Sequence, residues 1–168
     1  MAVNTFKPRD HDWEKRCRDS FAAQQYMTLI GAEIVSVAPG QCIIAVGMKP
    51  ELTQQRGFLH GGVTAALADT AAGFAAYSLM PAGSSPLTVE FKINLIAPAA
   101  GDRFLATGNV VRSGRTLTIV EVDVSARAKG QTQMVAKMLA TLICLENTSD
   151  RAGTGQIITN TTPRDERP

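Results

Sequence analysis

A single carboxylate stands out in an apolar stretch of the chain. Between Gly57 and Val89 the one residue with a formal charge is Asp69, which lies in an alanine-rich run. Because an unpaired buried carboxylate is costly, such a residue is normally paired with a cation or used in chemistry. A catalytic carboxylate acts as a general base or as a nucleophile. A structural aspartate bonded to a backbone group or an arginine is the alternative that this observation alone leaves open.

The residues before this carboxylate favour a chemical role. His60, Gly61 and Gly62 stand at the start of a predicted helix that runs from Gly61 to Leu79. The first turn of a helix exposes unpaired backbone N–H groups at a positive dipole end, and glycine lets a ligand approach the backbone. Such a terminus can stabilise an oxyanion. A plain tight turn with a structural histidine is the competing explanation.

The spacing of these groups restricts how they can work together. Gly61 and Asp69 are eight residues apart, which is about 12 Å along a helix. A reacting carbon must lie roughly 3 Å from both the oxyanion donors and the attacking group. One helix therefore cannot supply both groups to one substrate. If both are catalytic, they come from two chains of a two-fold dimer with shared sites.

Composition excludes several classes of protein. The chain has 168 residues, 45% of them hydrophobic, and a net charge of +2, which indicates one globular domain and gives no support to nucleic-acid binding. Three scattered cysteines and two histidines lack the spacing of metal ligands, so no metal site is expected. The N-terminus lacks an apolar signal segment, and Asp69 at the centre of residues 61–80 argues against a membrane span. We therefore expect a cytoplasmic protein without membrane association.

Periodicity predicts an α+β domain in which an antiparallel sheet packs on the long helix. A first helix is expected from Asp12 to Ile30. Strands are expected at 32–38, 41–48, 87–96, 103–112, 116–127 and 132–145. We assign residues 1–31 to an N-terminal arm and helix, 32–146 to the main domain, and 147–168 to a disordered tail. The alternation in strand 87–96 places Thr88 on a polar face, away from the helix.

Two motifs together resemble a known family. The segment QQRGFLHGGVTAALAD (54–69), followed by TVEFKIN (88–94), resembles the hotdog-fold acyl-CoA thioesterases of the phenylacetate-degradation (PaaI-like) branch, over about residues 32–145. The resemblance implies a hotdog fold, an antiparallel sheet wrapped around a long central helix. It also implies homodimers joined edge to edge, which often pair into dimers of dimers, with active sites at the dimer interface. Acyl-CoA would be the substrate and no cofactor is implied, since coenzyme A is part of that substrate.

The resemblance also implies a role for each matching residue. Asp69 matches the catalytic acid, which acts as general base on water or as nucleophile. Gly61 matches the backbone N–H donor to the thioester carbonyl, and His60 the residue that orders this loop. Thr88 falls where a hydroxyl helps to place water. Gln54 falls where many relatives carry asparagine, so its role stays open.

Further residues are candidates for contacts with the substrate. Gly62 lies beside the proposed oxyanion donor, and Phe58 is a candidate for the acyl pocket. Arg112 and Arg115 flank a turn, where they would meet the phosphates of coenzyme A. Core packing for the aromatic side chain and solvated surface charge for the arginines are the ordinary alternatives.

A site with one carboxylate and one oxyanion donor is sufficient for a thioester, because the thiolate leaves without a strong general acid. We therefore expect an acyl-CoA thioesterase. A non-catalytic acyl-CoA-binding or regulatory hotdog module, or an enoyl-CoA hydratase-like hotdog enzyme, remain alternatives. The identity of the acyl group and the oligomeric state, dimer or tetramer, stay open at this point.

Deleting residues 148–168 should leave the free energy of unfolding and kcat nearly unchanged, because this segment lacks apolar periodicity. Urea unfolding and thiol release from acyl-CoA measure the two quantities. A large fall in either would show that the segment docks on the domain.

Overall fold

The structure is a computed structural model that describes residues 6–146 and residue 148. The chain begins with two short helices and two strands, namely α1 (Trp13–Ala22), α2 (Gln25–Ile30), β1 (Ala32–Ala38) and β2 (Gln41–Gly47). The long helix α3 (Gly61–Tyr77) follows, and then four strands, β3 (Ser84–Leu95), β4 (Arg103–Ser113), β5 (Leu117–Ala128) and β6 (Gln131–Glu146). The predicted tail lies outside the described residues except for Thr148.

The six strands form one antiparallel sheet in the order β1-β2-β4-β5-β6-β3. Its concave side packs on α3, whose buried residues share one hydrophobic core with the inward side chains of the strands. The predicted α+β class, an antiparallel sheet around a long central helix, is therefore confirmed. No helix within the described part of the chain is both long enough and apolar enough to cross a bilayer.

The predicted first helix, Asp12 to Ile30, is instead broken in two. Gln24 has an extended backbone, with ψ of 101°, and serves as the N-cap of α2. Gly31 ends α2 in the left-handed conformation, with φ of 75°, as its position predicted. The break redirects the chain so that Cys17 of α1 and Met27 of α2 are both buried.

Arg16 anchors α1 to the end of α3. Its guanidinium donates hydrogen bonds to the carbonyl oxygens of Tyr77, Met80 and Pro81 and lies 4.3 Å from the centroid of the Tyr77 ring. Its Nε is 3.2 Å from Asp10 Oδ2 in an ion pair without a directed hydrogen bond. Carbonyls at a helix C-terminus lack intrahelical partners and carry negative partial charge, so a cation satisfies both needs.

The two sides of α3 differ in what covers them. On the sheet side β4 approaches closely, since a Cβ added to Gly108 would lie 2.7 Å from the carbonyl oxygen of Ala71. On the other side, partly exposed residues recur at helical spacing along what we call the open face of α3. This face consists of Gly61, Gly62, Ala65, Ala66, Asp69, Thr70 and Gly73.

A bulge in β3 overturns the predicted orientation of Thr88. The pairing of β3 with β6 shifts between Thr88 and Glu90, which leaves Val89 as an extra residue. Thr88 lies opposite buried Leu142, and Phe91 opposite buried Ala140, so both point to the α3 side. Since side-chain direction alternates along a regular strand, an inserted residue reverses the face of everything that follows. The prediction that Thr88 faces away from the helix is therefore wrong.

Gly108→Ala should destabilise the fold by about 1–3 kcal/mol, the usual cost of overpacking, because its Cβ would press on the backbone of α3 rather than on a flexible side chain. Urea unfolding at fixed protein concentration measures this loss. Gly47→Ala in β2 is the matched control, since its Cβ would come no closer than 4.0 Å to Asp102. Equal stability of the two variants would contradict the close approach.

Candidate functional site

Asp69 lies at the middle of the open face of α3 and is held by a hydroxyl. Thr88 Oγ1 donates a hydrogen bond to Asp69 Oδ1 at 2.8 Å. Within the described chain Asp69 makes no ion pair, so the arginine-paired alternative is not what the structure shows. The bulge in β3 produces this contact by turning Thr88 toward the helix. One carboxylate oxygen is thereby fixed by Thr88.

A small groove of about 160 Å³ surrounds this pair. We call it the Asp69 groove. Three parts of the chain line it. Ser20 of α1 and Gln24 at the corner before α2 form one side, and β3 contributes Pro86 and Thr88. The residues from α3 are Asp69, Thr70, Gly73 and Phe74. The N-terminal helices therefore form one wall of this groove, a contribution that the sequence analysis does not predict.

The N-terminus of α3 presents a free backbone donor. His60 is the N-cap, and its Nδ1 accepts a hydrogen bond of 2.9 Å from the Gly62 N–H, so this ring nitrogen carries no proton. The backbone N–H of His60 donates to the carbonyl of Leu52 at 2.8 Å. In the described part of the chain the Gly61 N–H has no hydrogen-bond partner. Gly61, rather than Gly62, therefore has a donor available to a ligand.

The loop before the helix is a tight turn. Gln54 N donates to Phe58 O, and Gly57 N donates to Gln54 O, both at 2.9 Å. Gly57 has φ of 80°, a left-handed conformation that favours glycine. The side-chain oxygen of Gln54 accepts from the Arg56 N–H at 2.7 Å. The amide nitrogen of Gln54 is left as a donor.

A second groove, of about 490 Å³, is lined in part by Gly61. We call it the Gly61 groove. Its lining includes Gln54, Arg56, Phe58, Leu59, Gly61, Thr64, residues 95–99 and Val135. None of these residues lines the Asp69 groove. Within one chain, the carboxylate and the free N–H therefore open onto different grooves, as their spacing on the helix requires.

The two predicted phosphate ligands lie outside both grooves. Arg115 lies in the turn between β4 and β5, where it lines a cleft with Lys7 and Arg9. Arg112 is exposed on β4. Their contact with coenzyme A stays a prediction. Arg56 is the cation that lines the Gly61 groove, and it was not among the predicted site residues. Its position two residues after Gln54, in the same loop, is the sequence signal that could have identified it.

Cysteine chemistry and metal ligation receive no support from the described residues. Cys17, Cys42 and Cys144 are all buried and form no disulfide, and none of them lines either groove. Burial raises the pKa of the Cys42 thiol to about 12, so this thiol stays protonated and is a poor nucleophile. No cluster of three or more histidine, cysteine or acidic side chains within residues 6–146 has the arrangement of a metal site.

Comparison with known proteins identifies the family of the chain. The family model of the thioesterase superfamily matches residues 56–132. Human acyl-coenzyme A thioesterase 13 is 33% identical over 99 residues, which are 58% of this chain and 70% of that protein.

Two solved structures show the same architecture. A thioesterase family protein from Silicibacter pomeroyi aligns with a TM-score of 0.79 and 42% identity, covering 80% of this chain and 98% of the other. The Escherichia coli PaaI protein from the phenylacetic acid degradation operon aligns with a TM-score of 0.74 at 21% identity, covering 82% and 96%, and shows the likeness of fold. On the strength of these matches, the chain belongs to the hotdog-fold thioesterase superfamily.

Proposed function

We propose that the protein hydrolyses acyl-CoA thioesters to a free acid and coenzyme A. The observation that carries this proposal is the pairing of a carboxylate fixed by a hydroxyl, Asp69 with Thr88, with an unused backbone donor at the start of the same helix. The name of the human relative, an acyl-coenzyme A thioesterase, supports coenzyme A as the leaving group.

A homodimer would bring these two groups together. β3 is an edge strand of twelve residues, and it exposes apolar side chains, among them Val89, Phe91 and Leu95. A long apolar edge is a template for pairing with another strand. Pairing β3 with its two-fold copy would also place the small residues on the open face of α3 near the partner. Both features support an isologous dimer.

In such a dimer each site would combine Asp69 of one protomer with Gly61 and Gln54 of the other. The Asp69 groove would supply the carboxylate and Thr88, and the Gly61 groove the oxyanion donor and Arg56. The cationic side chain of Arg56 is suited to a phosphate of coenzyme A. Two sites would form for each dimer, related by the two-fold axis.

An apolar row on the outer face of the sheet supports the association of two dimers into a tetramer. Leu87 lies opposite Ile143, which lies opposite Leu117, so an apolar row crosses three strands. Leu87 and Leu117 are exposed. An apolar row on the side away from α3 gives a second surface on which dimers would associate.

The proposed reaction needs one base and one oxyanion donor. Asp69 removes a proton from water as the water oxygen attacks the thioester carbonyl carbon, and the Gly61 N–H stabilises the oxyanion. Collapse of this intermediate breaks the C–S bond, and the thiolate takes the proton from Asp69. In the alternative, the Asp69 carboxylate attacks the carbonyl carbon, and the C–S bond breaks as the thiolate of coenzyme A leaves. Water then hydrolyses the resulting mixed anhydride, which releases the free acid and restores Asp69.

Two other functions stay as alternatives, a non-catalytic acyl-CoA-binding module and an enoyl-CoA hydratase-like enzyme. A binding module would bind acyl-CoA without releasing thiol. A hydratase would consume the double bond of an enoyl-CoA and leave the thioester intact. Thiol release from saturated acyl-CoA distinguishes hydrolysis from both.

Asp69→Asn should lower kcat by roughly 10²–10⁴, the contribution of a general base, and leave the fold intact. Thr88→Val should lower kcat by a smaller factor, because the carboxylate stays but loses its positioning bond. Steady-state thiol release measures both variants.

The chain provides a matched control pair on the outer face of the sheet, where Thr141 Oγ1 donates to Glu90 Oε1 at 2.9 Å. Glu90→Gln and Thr141→Val remove the same types of group and should keep kcat within about twofold of wild type. Unfolding of Asp69→Asn, with activity per folded molecule preserved, would show that Asp69 is structural.

The shared site predicts complementation between two inactive variants. Asp69→Ala removes the carboxylate, and Gly61→Pro removes the N–H at the first residue of α3, where proline is tolerated. After subunit exchange, about half of the dimers are mixed, and each has one intact site. Activity should recover to roughly a quarter of wild type per subunit, measured as thiol release.

Gly61→Ala is the steric control, because it adds a Cβ near the flexible Leu95 side chain but keeps the N–H. It should retain most of the activity. Confirmed exchange with no recovery of activity would mean that both groups act within one chain.

A further inference from the structure

Gly73 lies in the C-terminal half of α3, yet the packing of the chain does not require a glycine there. A Cβ added at Gly73 would meet nothing within 4 Å, whereas one added at Gly108 would clash with α3. Glycine destabilises a helix interior relative to alanine, and alanine occupies many neighbouring positions of α3. The absence of a side chain at Gly73 therefore leaves space that the folded chain itself does not fill.

This space lies in the Asp69 groove. Gly73 follows Asp69 by four residues, so both lie on the open face, about 6 Å apart along the helix axis. Phe74 of α3 and Pro86 of β3 supply apolar lining, and Gln24 lies at the corner between α1 and α2. A group bound at the carboxylate would therefore extend over Gly73, between β3 and the N-terminal helices.

The size of the groove limits what fits. Its volume is about 160 Å³, and cavities of about 150 Å³ hold a benzene-sized group in other proteins. An acyl group of roughly six heavy atoms beyond the reacting carbon would fill it. The polar side chains of Ser20 and Gln24 form the wall on the side of the N-terminal helices.

We propose that the Asp69 groove binds the acyl group of the substrate, and that Gly73 and Gln24 set its length. The inference rests on the proposed thioesterase function and adds to it a substrate class, short acyl groups. Gly73 leaves the floor of the groove open, and Gln24 limits how far the acyl group extends toward the N-terminal helices. Neither residue takes part in the proton transfers.

A series of saturated acyl-CoA thioesters from two to twelve carbons tests this inference. Gly73→Ala should lower kcat/KM at least tenfold for acyl groups of about six to eight carbons, the size of effect expected for one carbon in an apolar pocket. Acetyl-CoA hydrolysis should change less than twofold. Gly73→Ala should also raise Tm by about 2–4 °C, because the added methyl favours the helix and meets no other atom of the chain.

Two further variants test whether the change in acyl length preference is specific to the Asp69 groove. Gln24→Ala should shift the preferred acyl length upward by two or more carbons, opposite to the shift from Gly73→Ala. Ala65→Ser adds one heavy atom to the same open face, two turns from Gly73 and outside the groove lining. It should leave the length profile unchanged.

The outcomes separate this inference from the function on which it rests. If the wild type releases thiol but Gly73→Ala lowers kcat/KM equally for all lengths, with loss of the dimer in ultracentrifugation, Gly73 serves subunit packing and the acyl assignment is overturned. An unchanged length profile in both variants would overturn it as well. If the wild type releases no thiol from any acyl-CoA, the proposed function itself fails.

Discussion

A rigid helix holds apart the two groups that the proposed site would use. α3 carries an unused N–H at Gly61 and a carboxylate at Asp69, and a straight helix holds them about 12 Å apart. No side-chain rotation can bring a backbone donor and a residue two turns later to the same carbonyl. In the structure, Gly61 and Asp69 line two grooves that have no residue in common. A site that uses both groups must therefore be completed by a second chain.

Several features of the fold follow from keeping one side of α3 accessible. Small residues on the sheet side let β4 approach so closely that a Cβ at Gly108 would clash with helix backbone, and the sheet can curve around a narrow helix. The open face then remains for a partner and a ligand. The bulge at Val89 turns Thr88 toward Asp69 while β3 stays an edge strand. The strand that would join two protomers thus also positions the carboxylate.

Much of this arrangement could be predicted from the sequence because it is local. The helix start at His60, the glycines and the isolated Asp69 are readable within one segment, and the spacing argument needs only helix geometry. The sequence predicts the wrong face for Thr88 because nothing in it marks the bulge. No glycine or proline stands at the bulge, so apolar and polar residues go on alternating through it. Ser20 and Gln24 were missed because their place in the Asp69 groove depends on tertiary docking, which Arg16 secures at the far end of α3. No local pattern encodes that contact.

The proposed active site takes its groups from two chains. A crystal structure of the protein with a non-hydrolysable acyl-CoA analogue, a ketone in which a methylene replaces the thioester sulfur, would show which chain supplies each group. We expect the carbonyl oxygen of the analogue to accept a hydrogen bond from the Gly61 N–H of one protomer, while the nearest carboxylate is Asp69 of the other. An analogue held by Gly61 and Asp69 of the same chain, or bound away from both grooves, would contradict it.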